Sequence, residues 1–587
     1  MDIYSSSILF SILVYLFIGN YAGRKVKDLE DYFVVGRQAP TLLIVGTLVA
    51  SVLSTNAFLG ETGFSYAGQG GAYIIWPAIW VSGYVYGALF FGRYLRRSRA
   101  LTVAEFFGQR FDSRPVQSAA GVTIVLGLGG YLLAVTQGSA LLLSQLTPLT
   151  YLQGLFVSWA SYTLFTLYSG SRGVVITDTL MFLLFTIMSF VAFFYIVDAH
   201  DGWLAALDSL VRLENKPDLM TWHGVVGPGT EWNTPRDYMT WSIITGVGWS
   251  LVAAVSPWQS SRYLMAKSEH VVIRSACITA VVIAISNIAL YAAATVVNLS
   301  KPDIFPYEET MIWAAMNMMP KAMGALLLTG VMAAALSSAT TFLSLVGFSA
   351  SNDVVPRGTR DDGAMLRFSR RIMLLVGAIT LLFSLFIPPN IFWLTYYVGT
   401  VFASSWGPVA FMSIWSDRIT ARAAYWGIIT GFAGNVIPRL LDTLGWIDLP
   451  SYLNPILIGG VISLVVVLWV SRLGSVTDTE RARRLALHQL PADEQDTEQA
   501  KKTRWAAIGV AVFGVFMSVM LILFYARPYQ FATGTLRDGN RLDWLTGEVF
   551  LSLGWAALFV PVGIVAYKLV VRSYATDEHP EASSQSR

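Results

Sequence analysis

LVASVLSTNAFLGETGFSYAGQG, residues 48–70, is the stretch that decides the fold of this 587-residue chain. Apolar turns flank a central patch at 50–57 that holds several small polar residues, and Gly60, Gly63 and Gly68 follow it. Such a patch in a membrane helix is typical of transporters, because freed carbonyls and half-helix ends can coordinate ions there. The stretch therefore predicts a broken transmembrane helix over 40–67.

The composition places the whole chain in the membrane class, with 55% hydrophobic residues, 13% charged residues and a mean hydropathy of +0.56. A bilayer core of roughly 30 Å needs about 20 apolar residues per helix. Stretches of that kind predict about 15 transmembrane helices, over 6–23, 40–67, 72–97, 116–146, 151–169, 173–199, 237–264, 271–299, 321–351, 368–388, 390–416, 421–443, 453–472, 504–526 and 549–572.

A second interruption, TGVGWS at 245–250, lies in the helix predicted over 237–264. Two broken helices that are five helices apart predict a pair of five-helix repeats, 40–199 and 237–416. Because five is an odd number, the repeats have inverted topology. The alternative is that these glycines and serines only permit close helix packing.

The remaining segments complete the predicted organisation. They are a first transmembrane helix and cytoplasmic loop (1–39), an extracytoplasmic loop (200–236), two additional helices (417–472), a cytoplasmic linker (473–503), two C-terminal helices (504–572) and a cytoplasmic tail (573–587). About three quarters of the 40 basic residues fall on one side of this arrangement. The positive-inside rule then predicts an outside N-terminus and a cytoplasmic C-terminus, in a plasma membrane such as a bacterial inner membrane.

Small polar residues in the ninth predicted helix suit a cation. Ala334, Ser337 and Ser338 are spaced i, i+3, i+4 and share one helix face. Sodium is a hard cation that needs several oxygen ligands, which two hydroxyls and nearby carbonyls can supply. The alternative is that small residues on this face let a neighbouring helix approach closely.

Asp178 lies a few residues inside the sixth predicted helix. A carboxylate within a membrane helix is costly, so it should face a cavity or a cation. The alternatives are an interfacial acid or an ion pair with Arg172.

Several classes of function and site find no support in the sequence. A net charge of +3 does not indicate a nucleic-acid partner, and Cys277, the one cysteine, cannot form an intramolecular disulfide. The five histidines show no ligand spacing, so no metal site beyond sodium is predicted. No cluster of acidic residues and histidines favours an enzyme, and no obligate protein partner is evident.

Six sequence blocks together resemble the sodium/solute symporter family, which includes the proline symporter and the sodium/sugar cotransporters. The resemblance covers roughly residues 1–470. The blocks are DYFVVGRQAP (31–40), LVASVLSTNAFLGETGFSYAGQG (48–70), LTVAEFFGQRFDSR (101–114), SGSRGVVITD (169–178), SPWQSSRYLMA (256–266) and AAALSSATTFLSLVGFSASND (333–353).

The resemblance implies an all-α, LeuT-like fold of two inverted five-helix repeats, with one leading helix and about four extra C-terminal helices. It also implies a sodium site at the broken second helix and the ninth helix. The implied ligands are the carbonyls of Ala50, Leu53 and Ala334 and the hydroxyls of Ser337 and Ser338. Asp178 matches a family acid that influences sodium affinity.

Departures from the family pattern bear on the solute. Val52 stands where the proline symporter has an aspartate, and Ala253 replaces a tyrosine of its seventh helix. Asn56 and Ala57 stand where the sugar carriers have an acid and a glutamine. Sugar is therefore disfavoured, and proline itself is left open.

The predicted function is sodium-coupled symport of a small organic solute, an amino acid such as proline or a short carboxylate, across a lipid bilayer by alternating access. The alternatives are a proton-coupled symporter of the same fold and a transporter-like membrane sensor. The predicted solute pocket lies between the second, third and seventh helices. Its predicted lining residues are Ser51, Thr55, Asn56, Tyr73, Trp76, Gln137 and Trp249.

Overall fold

Long apolar helices make up the computed structural model, which describes residues 2–24, 26, 28–355, 361–537 and 540–574. Within these ranges there is no β-strand, only two isolated bridges. Ten helices are long and apolar enough to cross a membrane, and one bent pair adds an eleventh. The predicted all-α, multi-pass membrane fold is confirmed.

The described residues of the first part of the chain, up to the loop after residue 211, form nine helices besides a short 3-10 helix at Val35–Arg37. They are α1 (Ile3–Gly23), α2 (Leu29–Val34), α3 (Thr41–Ala50), α4 (Asn56–Ile75), α5 (Pro77–Ser98), α6 (Val103–Phe111), α7 (Arg114–Leu146), α8 (Tyr151–Asp198) and α9 (Trp203–Val211).

The second part forms twelve more helices in the described residues. They are α10 (Pro235–Val255), α11 (Pro257–Met265), α12 (Glu269–Leu299), α13 (Thr310–Asn317), α14 (Lys321–Val354), α15 (Asp362–Phe386), α16 (Ile391–Trp415), α17 (Ala421–Thr443), α18 (Pro455–Arg472), α19 (Asp478–His488), α20 (Thr497–Thr533) and α21 (Gly547–Tyr574).

All fifteen predicted segments contain helix, but they are not equally suited to span a membrane. The segments 151–169, 390–416 and 421–443 are helical without meeting the criterion of length and apolar composition. The predicted number of fifteen spans therefore stays a prediction.

The predicted break in the second helix is confirmed. The α-helix α3 ends at Ala50, residues 51–54 form turns, and α4 begins at Asn56. The backbone N–H of Asn56 is capped by the hydroxyl of Ser54 at 3.3 Å. No described group donates to the Leu53 carbonyl, so the break exposes at least one unpaired acceptor.

The break predicted at 245–250 is wrong in position. The helix α10 runs unbroken through these residues, and the chain leaves helical geometry at Ser256, with ψ of 144°. Pro257 explains the shift, because proline disfavours the helical conformation at the preceding residue and has no N–H to donate. The glycines of 245–250 instead permit close packing, since a Cβ on Gly248 would lie 2.0 Å from Ile456.

A further interruption divides α8 where two separate helices were predicted. Gly170 has a positive φ of 53°, which only glycine adopts readily in this conformation. A Cβ there would also lie 2.4 Å from the ring of Tyr32, so the turn and the close contact both require glycine.

The helix α14 occupies the centre of the bundle. Its most apolar 18-residue window is 89% buried, the highest fraction of the membrane-length helices in the described chain. It packs against α1, α7 and α8, and α8 in turn contacts α3. The helix bearing the predicted cation residues is thus shielded from the surroundings by other helices.

The segment predicted as a solvated cytoplasmic linker is docked on one end of the bundle. The carbonyl of Leu487 accepts from Arg97 at 2.8 Å, and that of Glu480 accepts from Arg110 at 2.9 Å. We call this the basic end, defined by Arg96, Arg97 and Arg110. The loops predicted to be cytoplasmic meet there, as the contact between Arg96 and the Ala266 carbonyl illustrates.

Candidate functional site

The cation residues predicted on α14 meet the break between α3 and α4. The Ser338 hydroxyl lies 3.4 Å from the Ala50 carbonyl and donates to it. Ala334 and Ser337 lie on the same buried face of α14, and the unpaired Leu53 carbonyl belongs to the same break. The fold thus gathers hydroxyls and carbonyls into one water-poor site.

Asp178 joins this site from α8. One carboxylate oxygen accepts from the Ser337 hydroxyl and the other from Thr47 on α3. Its side chain is fully buried. The carboxylate therefore ties α8 to both elements of the helix-break site.

The guanidinium group of Arg262 on α11 faces Asp178, with 3.7 Å between Nη2 of the arginine and Oδ2 of the carboxylate. The alternative of an ion pair with Arg172 is wrong, because Arg172 pairs with Asp31 at 2.5 Å between Nη1 and Oδ2. Arg262 also donates to Thr341 of α14 at 2.7 Å, while its Nε has no partner among the described residues. Both broken helices therefore converge on Asp178.

The second break supplies further polar groups beside the first. The Gln259 amide donates to the Ser51 hydroxyl at 3.2 Å, which links α11 to the turn after α3. The Gln259 amide oxygen and the hydroxyls of Ser256 and Ser261 have no partners in the described chain. Buried polar atoms of this kind are suited to bind an ion or a polar solute.

Of the predicted solute residues, Thr55 contacts α7 at Gly138, the residue that follows Gln137. A Cβ on Gly138 would be 3.1 Å from Thr55, so α7 approaches α4 closely here. The Thr55 hydroxyl and the Gln137 amide oxygen are both buried and unpartnered in the described residues. The Gln137 amide nitrogen donates to the Ile387 carbonyl at 2.6 Å.

Tyr73 and Trp76 belong to a separate aromatic cluster. Their rings stack at 5.5 Å between centroids, and Trp76 stacks on Trp241 of α10 at 6.1 Å. The indole of Trp76 donates to the Ser242 carbonyl at 3.0 Å. These contacts hold the junction of α4 and α5 against α10.

Asn56 and Trp249 both contact α16. The Thr395 hydroxyl donates to the Asn56 amide oxygen at 2.6 Å, and Trp249 lies over Gly399, where a Cβ would approach its ring to 2.7 Å. The seven predicted solute residues are thus distributed over the turn after α3, α4 and its end, α7 and α10, and their role in binding a solute stays a prediction.

A cavity of about 720 Å³ lies at the end of the bundle opposite the basic end. We call it the vestibule, lined by Gly60, Gly63, Phe64, Ala67, Gly68, Gln69, Val225, Gly229, Thr230, Glu231, Phe305, Pro306, Tyr307, Glu308, Pro389, Asn390, Phe392 and Trp393. None of the seven predicted solute residues is in this lining.

Three charged or polar residues of the site were missed from the sequence. Thr47 and Arg262 contact Asp178, and Glu61 of α4 accepts from both Tyr291 and Asn56. The rule that singled out Asp178, a charge inside a membrane helix, applies equally to Arg262 and Glu61. A search for charged residues inside the predicted membrane helices would therefore have found Arg262 and Glu61, but not Thr47.

The sequence profile described as "Sodium:solute symporter family" matches residues 32–431. The chain belongs to this family. The family comprises transporters, and both broken helices, Asp178 and the serine pair lie within the matched region. The resemblance predicted from the six blocks is confirmed.

Curated relatives span most of the chain at low identity. The sodium/pantothenate symporter of Escherichia coli is 26% identical over 485 residues, which cover 80% of this chain and 96% of that protein. The osmoregulated proline transporter OpuE of Bacillus subtilis is 23% identical over 489 residues, covering 78% and 95%. These relatives are named for different solutes.

Solved structures share the fold. A sodium-coupled sialic acid symporter in a substrate-bound outward-open state has a TM-score of 0.68 at 18% identity, covering 82% of this chain and 99% of that chain. A nucleobase-cation-symport-1 family transporter in a closed conformation has a TM-score of 0.51 at 12% identity, covering 78% and 98%. The predicted LeuT-like fold is thereby confirmed.

Proposed function

We propose that this protein carries a small organic solute, an amino acid such as proline or a short carboxylate, into the cell together with sodium. The observation that best supports the proposal is the hydrogen bond from the Ser338 hydroxyl to the Ala50 carbonyl at the break between α3 and α4. Hydroxyl and carbonyl oxygens at a helix break are ligands that a hard cation prefers.

Sodium binds, in this proposal, to the carbonyls of Ala50, Leu53 and Ala334 and to the hydroxyls of Ser337 and Ser338. Because these ligands come from both α3 and α14, the ion holds the two helices together. A ligand shifts a conformational equilibrium only by its different affinities for the two states. Sodium therefore favours the state in which the two helices are joined.

Asp178 acts on this site through Ser337. Its carboxylate accepts a hydrogen bond from the Ser337 hydroxyl, which leaves the lone pairs of that hydroxyl free for a bound cation. Arg262 balances the carboxylate charge in the absence of the ion. Asp178 itself serves as a sodium ligand when the ion lies on its side of Ser337.

The basic end is cytoplasmic in this proposal, and the vestibule opens to the outside. The chain then lies in a plasma membrane with its N-terminus outside. A solute entering from the vestibule reaches the junction around Thr55, Asn56 and Gln137, where unpartnered buried polar atoms are available.

The test is uptake into proteoliposomes of labelled amino acids and short carboxylates, with and without an inward sodium gradient. Wild type is compared with Ser337→Ala/Ser338→Ala and with Ser344→Ala. Ser344 is a matched control, because it lies on the same buried helix and bonds only the Thr340 carbonyl. Sodium-driven uptake that the double variant loses and Ser344→Ala keeps supports the proposal; uptake that ignores sodium refutes it.

A further inference from the structure

A carboxylate without a positive partner lies between the vestibule and the centre of the bundle. Glu61 is partly buried in α4, and no basic side chain of the described residues forms an ion pair with it. Its oxygens accept from the Tyr291 hydroxyl of α12 and, at 3.0 Å, from the Asn56 amide. An unpaired carboxylate in a membrane helix is costly and is functional by default.

Glu61 lies directly beneath the vestibule. Its neighbour Gly60 lines that cavity, and a Cβ on Gly60 would lie 2.8 Å from the Asn56 amide oxygen and 3.2 Å from the Phe392 backbone. Asn56 bonds both Glu61 and Thr395. A solute that passes from the vestibule along α4 therefore meets this network first.

Aromatic rings continue from the network to the vestibule. Tyr291 packs edge-on against Tyr73 with 5.0 Å between ring centroids, and Tyr73 lies 5.1 Å from Phe64. Phe64 stacks on Phe392 at 4.4 Å, and both rings line the vestibule. Aromatic faces attract ammonium groups through the ring quadrupole.

The charged lining of the vestibule is acidic. Glu231 and Glu308 are its charged members, and the lining holds no Lys, Arg or His. A cleft lined by one sign of charge raises the local concentration of oppositely charged solutes.

Two basic side chains lie nearby, and each is held by other groups. Lys216 donates to the Asn298 amide oxygen at 2.7 Å, and burial lowers the pKa of its ammonium group to about 8. Arg439 pairs with Asp442 at 2.8 Å. Neither belongs to the vestibule lining.

We propose that Glu61 is the counter-charge for an ammonium group on the transported solute, which enters through the acidic, aromatic vestibule. The inference rests on the proposed symport and narrows its solute class. It favours solutes with a quaternary or protonated amine, amino acids included, over solutes that carry only a negative charge. An anion would meet Glu231, Glu308 and Glu61 in turn.

The test measures binding to the purified full-length protein in sodium buffer, by intrinsic tryptophan fluorescence. The probes are choline, glycine betaine and proline. The comparison compounds are the carbon isostere of choline, in which an uncharged quaternary carbon replaces the nitrogen, and pantothenate as an anion. The isostere keeps the shape and loses the charge.

We expect at least one ammonium probe to bind. The isostere and pantothenate should bind at least about tenfold more weakly, because the loss of one desolvated cation–π or charge contact weakens affinity by about that factor. Glu61→Gln keeps hydrogen-bonding groups for Tyr291 and Asn56 but removes the negative charge. It should lower the affinity for the ammonium probe by about tenfold or more. Glu61→Asp should retain part of the affinity. Asp303→Asn is the control, because Asp303 is exposed and pairs with Lys301 at 2.7 Å.

Other outcomes overturn the inference. These are failure of all three ammonium probes to bind, tighter binding of pantothenate, or equal affinity of Glu61→Gln and wild type. Melting temperatures in sodium and potassium show whether Glu61→Gln is folded; if it is not, Glu61→Asp and the choline–isostere comparison in wild type decide. Sodium-driven uptake of pantothenate would refute the ammonium inference and leave symport standing, whereas the absence of any sodium-driven uptake would refute symport itself.

Discussion

At the scale of single residues, the proposed transport depends on a few buried polar groups that three segments bring together. Asp178 illustrates this, because its partners Thr47, Ser337 and Arg262 lie on α3, α14 and α11. The carboxylate was predictable from the sequence, since a charge within an apolar stretch is conspicuous. Its partners were not, because three elements distant in sequence converge only through the fold.

The buried pair of Asp178 and Arg262 should show strong energetic coupling. Removing one partner leaves the other charge buried and uncompensated, which costs about 3–5 kcal/mol. We expect Asp178→Asn and Arg262→Gln each to lower the melting temperature in detergent. The double variant should then be less unstable than the sum of the two losses. Strict additivity would show that the two side chains do not interact.

Glu494 gives a pH-dependent contact at the basic end. Burial and the neighbouring Glu269 raise the pKa of its carboxyl group to about 7, although it accepts from the Glu269 backbone N–H at 2.8 Å. Because the pKa of Glu494 is raised in the folded state, the fold favours the protonated carboxyl group. The contribution of this group to the stability of the fold is complete below its ordinary pKa of 4.5 and is lost as the pH rises through about 7.

Glu494→Gln cannot ionise, so the variant should keep this contribution at alkaline pH. We expect it to melt at a higher temperature than wild type at about pH 8 and at nearly the same temperature at about pH 5. Parallel melting curves at both pH values measure the difference. A variant less stable than wild type at alkaline pH would contradict the assigned shift.

At the scale of helices, hydropathy located the segments, and local chemistry decided where they break. The patch at 50–57 and the glycine at Gly170 mark true interruptions. The glycines at 245–250 gave the same signal but serve close packing, and the nearby Pro257 marks the real break. A glycine in the sequence does not tell a helix break from close helix packing. A proline does indicate a break, because it disfavours the helical conformation at the preceding residue.

The two C-terminal helices are integral to the bundle. The helix α20 packs on α12, and α21 packs on α5. The fully buried Trp555 of α21 donates to the carbonyl of Ile75, the last residue of α4, at 3.2 Å. Their role was left open by the sequence, because apolar patterning does not reveal which neighbour a membrane helix contacts.

Trp555→Ala should therefore lower the melting temperature markedly, since truncating a buried tryptophan costs roughly 3–5 kcal/mol. Trp505→Ala is the matched control, because Trp505 is on α20 and 65% exposed. Thermal unfolding in the same detergent compares them. Equal, small losses for both variants would contradict the packing of α21 on α5.

At the scale of the whole molecule, loops that were predicted to lie on the same side of the membrane meet at one end of the bundle. Segments predicted to be on one side, such as 98–113 and 473–503, contact each other at the basic end. The fold class and the family could be predicted from the sequence, because hydropathy and six ordered blocks extend over most of the chain. The solute residues stay a prediction, because residues distant in sequence come together only through the fold.

The orientation is open to direct measurement with an impermeant thiol reagent on intact cells. In a Cys277→Ala background, Asn233→Cys should react from outside, and Ser475→Cys should react only after permeabilisation. Both positions are exposed and lie in loops at opposite ends of the bundle. The reverse pattern would contradict the proposed cytoplasmic face.

The most direct test of the central claim is to count radioactive sodium and labelled solute entering the same proteoliposomes. We expect the two to enter together in a fixed ratio, and we expect Ser337→Ala/Ser338→Ala to abolish sodium entry along with concentrative solute uptake. Solute accumulation without sodium entry would contradict sodium-coupled symport.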